Sequence, residues 1–263
     1  MRDINTKLFV GLSLLLVIIR LLFISNTLLI NDEAYYAIYA RHLAWGYVDH
    51  GPIIAYLIKF FTLIWENSFT VRLGATTLMS VLIIILYYFG KKYFNSQTGV
   101  LLSLSLTANM LFHTNSIVIT PDVPMTFFTI LAMMFYYLSY CVDKKYIYIG
   151  GAMLGLAVLS KISALFPAIG IALYPILIKE KRHWLKNIHY YGSFTLAFLI
   201  FLPFIIWNFQ NDFAFVRNQG SHIYRGGGIE HFINLWFGLA IISGPLFFYF
   251  SVVKPFINLK SWK

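Results

Sequence analysis

Apolar runs of about 20 residues recur along nearly the whole chain, each long enough to cross a hydrocarbon core of about 30 Å. Eight spans are predicted, at 8–30, 73–90, 98–114, 123–141, 146–160, 162–178, 188–207 and 232–253. The first is too long for a signal-peptide core and has no small-residue cleavage site, so it counts as a helix. The fifth and sixth are close-coupled around Ser160-Lys161. Only 11% of the residues are charged, against about 25% in an average soluble domain. The expected fold is therefore an all-α polytopic membrane protein forming a single domain over residues 1–263. Tyr and Trp gather at span ends, as expected at the headgroup level.

Two long polar segments interrupt this pattern, at 31–72 and 208–231. In the first, Tyr35, Tyr39, His42 and Gly46 fall roughly on one helical face, which predicts an interfacial helix lying along the membrane. Charge supplies the orientation. With a cytoplasmic N-terminus, the inner segments hold Lys91, Lys92, Lys144, Lys145, Lys179, Lys181, Arg182 and Lys186, among other basic residues, against Asp3, Asp143 and Glu180. The outer segments hold Arg41, Lys59, Arg72, Lys161, Arg217 and Arg225 together with the remaining acids. The formal charge of +10 thus reflects membrane topology and not a nucleic-acid surface. Both long outer loops and the 115–122 loop share the outer face of a bacterial inner (plasma) membrane.

Carboxylates are costly at bilayer depth, so acids at the lip of the bundle are candidates for chemistry. Asp32 and Glu33 stand together where the first span ends. Helix capping explains them equally well, and the same holds for Thr120-Pro121-Asp122, with Thr120 as N-cap and Pro121 at the first helical position. Asp49-His50 places an acid and an imidazole in a turn-forming stretch. That pair suits a divalent metal if His222, in the 208–231 loop, supplies a further ligand. Lys161 is isolated between two apolar spans, where snorkelling and phosphate binding are both satisfactory readings. Arg217 and Arg225 read as rim charges or phosphate clamps. Cys141 is the lone cysteine, which excludes an internal disulfide. No nucleotide-binding glycine motif is present, so no nucleotide cofactor is expected. Gly150, Gly151 and Gly155 read as close helix packing.

The strings Asp32-Glu33-Ala34-Tyr35-Tyr36, Gly46-Tyr47-Val48-Asp49-His50-Gly51-Pro52 and Thr120-Pro121-Asp122-Val123-Pro124 resemble a bacterial GT-C glycosyltransferase family. This is the group related to protein O-mannosyltransferases and the lipid A aminoarabinose transferase. Leu159-Ser160-Lys161-Ile162-Ser163-Ala164 is similar to a further segment of that family, and so is Trp207-Asn208 with Asn211-Asp212-Phe213 and Gln219. The motifs occur in register over nearly the whole chain.

The resemblance implies a GT-C-like bundle that takes a sugar from a polyprenyl-phosphate donor and passes it, with inversion, to a lipid, glycan or protein acceptor. By the same analogy Asp32 is the base, with Glu33 beside it and Asp122 completing an acidic floor. Lys161 and Arg217 are expected at the carrier phosphate, and Tyr35, His50, Asn208 and Arg225 at the substrates. Asp49 and His222 occupy positions implied to hold a divalent metal. The partners implied are the donor, the acceptor and membrane lipids, with no nucleic acid. Gly51-Pro52 stands where many relatives have two prolines, and the chain ends where relatives continue with further helices. A lipid-carrier transporter, an accessory subunit or an inactive truncated transferase is the competing expectation. Against a transporter stands the gathering of charges on one face rather than at the midplane.

Overall fold

Helices account for nearly all of the backbone in the computed structural model, which describes residues 2–224, 228–244, 248–249 and 254. Arg225 lies outside the described residues, as does the side chain of His222. No strand occurs among the described residues. In chain order the helices are α1 (Arg2–Ser25), α2 (Asn31–Arg41), α3 (Ile53–Phe61), α4 (Ser68–Tyr93), α5 (Ser96–Ala108) and α6 (Met110–Thr114). They continue with α7 (Asp122–Cys141), α8 (Ile147–Ser160), α9 (Leu165–Leu177), α10 (Ile188–Gln210), α11 (Ala214–Tyr224) and α12 (Ile229–Ser243). Short 3₁₀ turns cover Lys144–Tyr146, Ile162–Ala164 and Lys179–Lys186.

Among the described residues α4, α7 and α10 are long and apolar enough to cross a membrane, as the second, fourth and seventh predicted spans require. A fourth crossing arises if the segment Ile162–Leu177 is counted together with Lys179–Lys186, to which it is bent by 106°. This is a multi-pass helical protein. The expected eight uninterrupted spans are not all present, and named breaks are the reason. Asn109 leaves the helical region (φ −79°, ψ 122°), and its side chain accepts a bond from Phe112 N–H at 3.1 Å, so residues 98–114 split into α5 and α6. Lys161 is extended (φ −155°, ψ 132°) and ends α8 after 14 residues, about 21 Å of helix. The 31–72 segment is likewise not one helix. It contains α2, a loop, and α3, with the first five residues of α4 at its end.

The chain forms two compact units: Met1–Asn26, Thr76–Val118 and His222–Lys263 in one, Thr27–Ala75 and Ile119–Ser221 in the other. In the second unit α7 and α10 both pack along α8. The contact with α10 is close because Gly151 and Gly155 carry no side chain. A Cβ at Gly155 would come within 2.8 Å of the Ala197 carbonyl oxygen, and one at Gly151 would run into that of Ser193. The packing reading of these glycines therefore holds. Tyr136, Tyr140, Trp184 and Tyr190 fill the core beside this seam, where Tyr136 Oη and Ser193 Oγ share a 3.0 Å hydrogen bond. In the first unit α1 lies along α4, with the Phe9 and Tyr87 rings stacked at 4.6 Å.

Candidate active site

The adjacent acids Asp32 and Glu33 have different fates. Successive residues of an α-helix point about 100° apart, so the two cannot share one environment. Glu33 faces inward and is fully buried. Arg72, at the start of α4, clamps it with Nε at 2.8 Å from Oε1 and Nη2 at 2.5 Å from Oε2. The same guanidinium donates to the Thr27 carbonyl and hydroxyl oxygens and to the Leu28 carbonyl. Glu33 also accepts the backbone N–H groups of Ile30 and Ile119, both at 3.0 Å. A buried charge is tolerated only when paired and hydrogen-bonded, and both partners here are saturated. Glu33 is thus a tie between the starts of α2, α4 and α7 and leaves the set of solvent-facing acids in which the sequence placed it. The tie positions Asp32 one residue away and Asp122 three residues beyond Ile119.

Asp32 is exposed and makes no hydrogen bond or ion pair among the described residues. It lies close enough to Tyr36 for its charge to be felt there, together with those of Asp49 and Asp122. Burial first, then the three carboxylates, push the Tyr36 hydroxyl up to about 12. Tyr36 is therefore the point on which the three acids converge. Its ring lies 5.9 Å from that of His50. Burial and the nearby Lys161 ammonium lower the His50 imidazole below its usual value, against a smaller opposing pull from Asp49 and Asp122. Lys161 itself donates to both Asp122 oxygens, at 2.9 and 2.8 Å, in a pair that is partly open to solvent.

Gly51 brings these groups together. A Cβ there would run into the Leu159 carbonyl oxygen at the end of α8, so only glycine lets the Asp49-His50 turn lie against the Leu159-Ser160-Lys161 segment. The Gly51-Pro52 departure from the family pattern has this contact as its physical consequence. Thr120 does not cap α7, since its hydroxyl is buried without a partner and the helix starts after Pro121.

Asp49 is held by neutral donors. Tyr35 Oη donates to Oδ2 at 2.6 Å, Tyr39 Oη donates to Tyr35 Oη at 2.5 Å, and Asn218 Nδ2 donates to Oδ1 at 2.7 Å. Gln219 adds a 3.2 Å bond to the Asp49 carbonyl oxygen. Burial raises both tyrosine hydroxyls, and the bonds to and charge of Asp49 add to the rise. These neighbours turn hydrogens toward the carboxylate, the reverse of what a divalent cation needs from its surroundings. No cluster of three His, Cys, Asp or Glu suited to a metal occurs among the described residues. The described donor set does not fit a metal at Asp49, and the side chain of its expected co-ligand His222 is outside the described residues.

Asn208 departs from its expected substrate-facing place. It is 8% exposed, and its side chain accepts the Phe215 N–H at 3.1 Å while its carbonyl accepts the Phe213 N–H at 2.8 Å. It closes the α10–α11 turn, where Asp212 (φ 53°) and Phe213 (φ 56°) take left-handed backbone. Arg217, on α11, is exposed and unpaired among the described residues. Sequence reasoning did not assign Arg72, Tyr36, Tyr39 or Asn218 to the site. The i, i+4 spacing of Tyr35 and Tyr39 was a usable signal; Arg72 and Asn218 offered none, because their partners lie 39 and 169 residues away.

The comparisons with known proteins agree with this arrangement. The family profile of dolichyl-phosphate-mannose-protein mannosyltransferases matches residues 49–207. The lipid A galacturonosyltransferase of Rhizobium johnstonii is 26% identical over 229 residues, covering 86% of this chain and 46% of that protein. The chain thus spans about half the length of that relative. No solved structure matches. On the family match over most of its helical bundle, together with the apolar helices, the chain belongs to the dolichyl-phosphate-mannose-protein mannosyltransferase family of GT-C membrane glycosyltransferases.

Proposed function

We propose that this chain transfers a sugar from a polyprenyl-phosphate carrier to an acceptor oxygen of a lipid, glycan or protein at the outer face of a bacterial inner membrane. In this reading all eight apolar segments cross or enter the bilayer, the N-terminus is cytoplasmic, and α2 and α3 lie along the outer surface. The Asp32 carboxylate takes the proton of the acceptor hydroxyl as its oxygen attacks the anomeric carbon from the side opposite the phosphate. The new C–O bond forms as the bond to the phosphate oxygen breaks with inversion, and the electron pair leaves on the polyprenyl phosphate. Lys161 and Arg217 meet the charge that develops there. Asp122 and His50 border the sugar, and Asp49 fixes the loop that carries His50. No step runs through a metal.

One observation carries the proposal: of the four acids gathered at this place, Asp32 alone is exposed and uncommitted, while Glu33, Asp49 and Asp122 are held by partners. The family match and the relative, a transferase named for lipid A, support a lipid-linked reaction and a lipid acceptor. The test is release of free polyprenyl phosphate by the purified chain in detergent. Carriers bearing mannose, galacturonic acid or aminoarabinose are supplied, with membrane lysate as the acceptor source. Release from at least one donor is expected, falling about 10²- to 10⁴-fold in Asp32→Asn. A wild type that binds the carriers and releases none contradicts the reading and favours an accessory role.

A further inference from the structure

The unit formed by Met1–Asn26, Thr76–Val118 and His222–Lys263 contains none of the candidate active-site acids described above, yet it buries a cation. Arg20 lies on the inward face of α1 with Phe9 and Ile24, and is 1% exposed. Its Nη2 is 3.4 Å from Nδ1 of His113, a long contact. Its Nε and Nη1 are shut off from solvent and have no hydrogen-bond partner. Among the described residues no carboxylate pairs with it. Arg72 shows what a satisfied buried guanidinium looks like in this same chain, with an acid and three further oxygens around it. Arg20 keeps its charge at any physiological pH and has only donors to offer. An unpaired cation in an apolar bundle is costly, and its persistence points to function.

We propose that Arg20 and His113 form a binding site for the phosphoryl group of a membrane lipid, separate from the sugar-transfer residues. Phosphate oxygens can accept several N–H bonds from one guanidinium, which matches the open Nε and Nη1 and the weakly held Nη2. Arg20 sits five residues, about 8 Å, from the C-terminal end of α1, within reach of a headgroup. Ile19, Leu22 and Phe23 beside it are exposed and apolar, so the flank of the helix suits acyl chains. His113 rides on α6, a five-residue helix bounded by the break at Asn109 and the turn after Thr114. Displacing that short element is the way in, at the cost of one long hydrogen bond.

Thermal unfolding of the purified full chain in detergent tests this with three probes: short-chain phosphatidic acid, the matching diacylglycerol, and inorganic phosphate. Phosphatidic acid is expected to raise the Tm saturably, and diacylglycerol to leave it unchanged. Arg20→Gln should weaken the response at least about tenfold. His113→Glu gives Arg20 an internal carboxylate; it should abolish the response and raise the ligand-free Tm, which keeps the test open if Arg20→Gln does not fold. A full response to inorganic phosphate alone assigns the same site to free phosphate instead of a lipid. No response of wild type to either phosphoryl probe, or an undiminished response in Arg20→Gln or His113→Glu, overturns the proposal.

Discussion

Two ion pairs stand within the same helical unit and do opposite work. Glu33–Arg72 is almost entirely buried, with side chains 0% and 3% exposed, and every charged oxygen and most of the N–H groups are engaged. Lys161–Asp122 has side chains 29% and 37% exposed and holds its partners only by each other. A desolvated pair is fixed, because breaking it strands a charge away from water. A half-solvated pair can be exchanged for a substrate group at small cost, because water and ligand compete on nearly equal terms. The first therefore builds the frame, and the second is available to chemistry. Asp32, one residue from the frame and unpaired, combines the precision of one region with the accessibility of the other.

Breaking the frame should give the largest effect. Glu33→Ala leaves Arg72 buried without its counter-charge and frees the Ile30 and Ile119 N–H groups, so unfolding free energy should fall by about 3–5 kcal/mol, read from thermal or denaturant unfolding in detergent. Asn208→Leu comes next. It strands the buried Phe215 N–H at the α10–α11 turn, and a loss of about 1–3 kcal/mol is expected in the same measurement. Lys161→Met tests the other side of the comparison. Its stability cost should stay at or below about 1 kcal/mol, while affinity for a polyprenyl phosphate in a binding titration should drop about tenfold or more.

The smallest effect concerns pH. The His50 imidazole is lowered in the fold, so the unfolded chain binds the proton more readily. Stability is then fully present above the usual histidine value near 6.5 and declines as pH falls below it, until the folded value is passed. Unfolding curves of wild type should show this acid limb, and His50→Gln should flatten it.

The sequence made the class of fold and the neighbourhood of the site readable, because apolar run length and scarce outer-face acids are local signals. It could not divide the acids. Asp32 and Glu33 look alike as a dipeptide, and Arg72, 39 residues on, decides which one turns inward. Lys161 was readable as an isolated cation, but its bond to Asp122 depends on where α7 and α8 meet. Asn208 was taken for a substrate contact because polar residues after a span suggest a loop surface, whereas its side chain closes a turn with left-handed backbone.

The most direct measurement compares Asp32→Asn and Glu33→Gln side by side, recording unfolding and polyprenyl-phosphate release on the same preparations. The account predicts that Asp32→Asn unfolds within about 0.5 kcal/mol of wild type and loses turnover, while Glu33→Gln is markedly destabilised. Wild-type turnover in Asp32→Asn, or wild-type stability in Glu33→Gln, would contradict it.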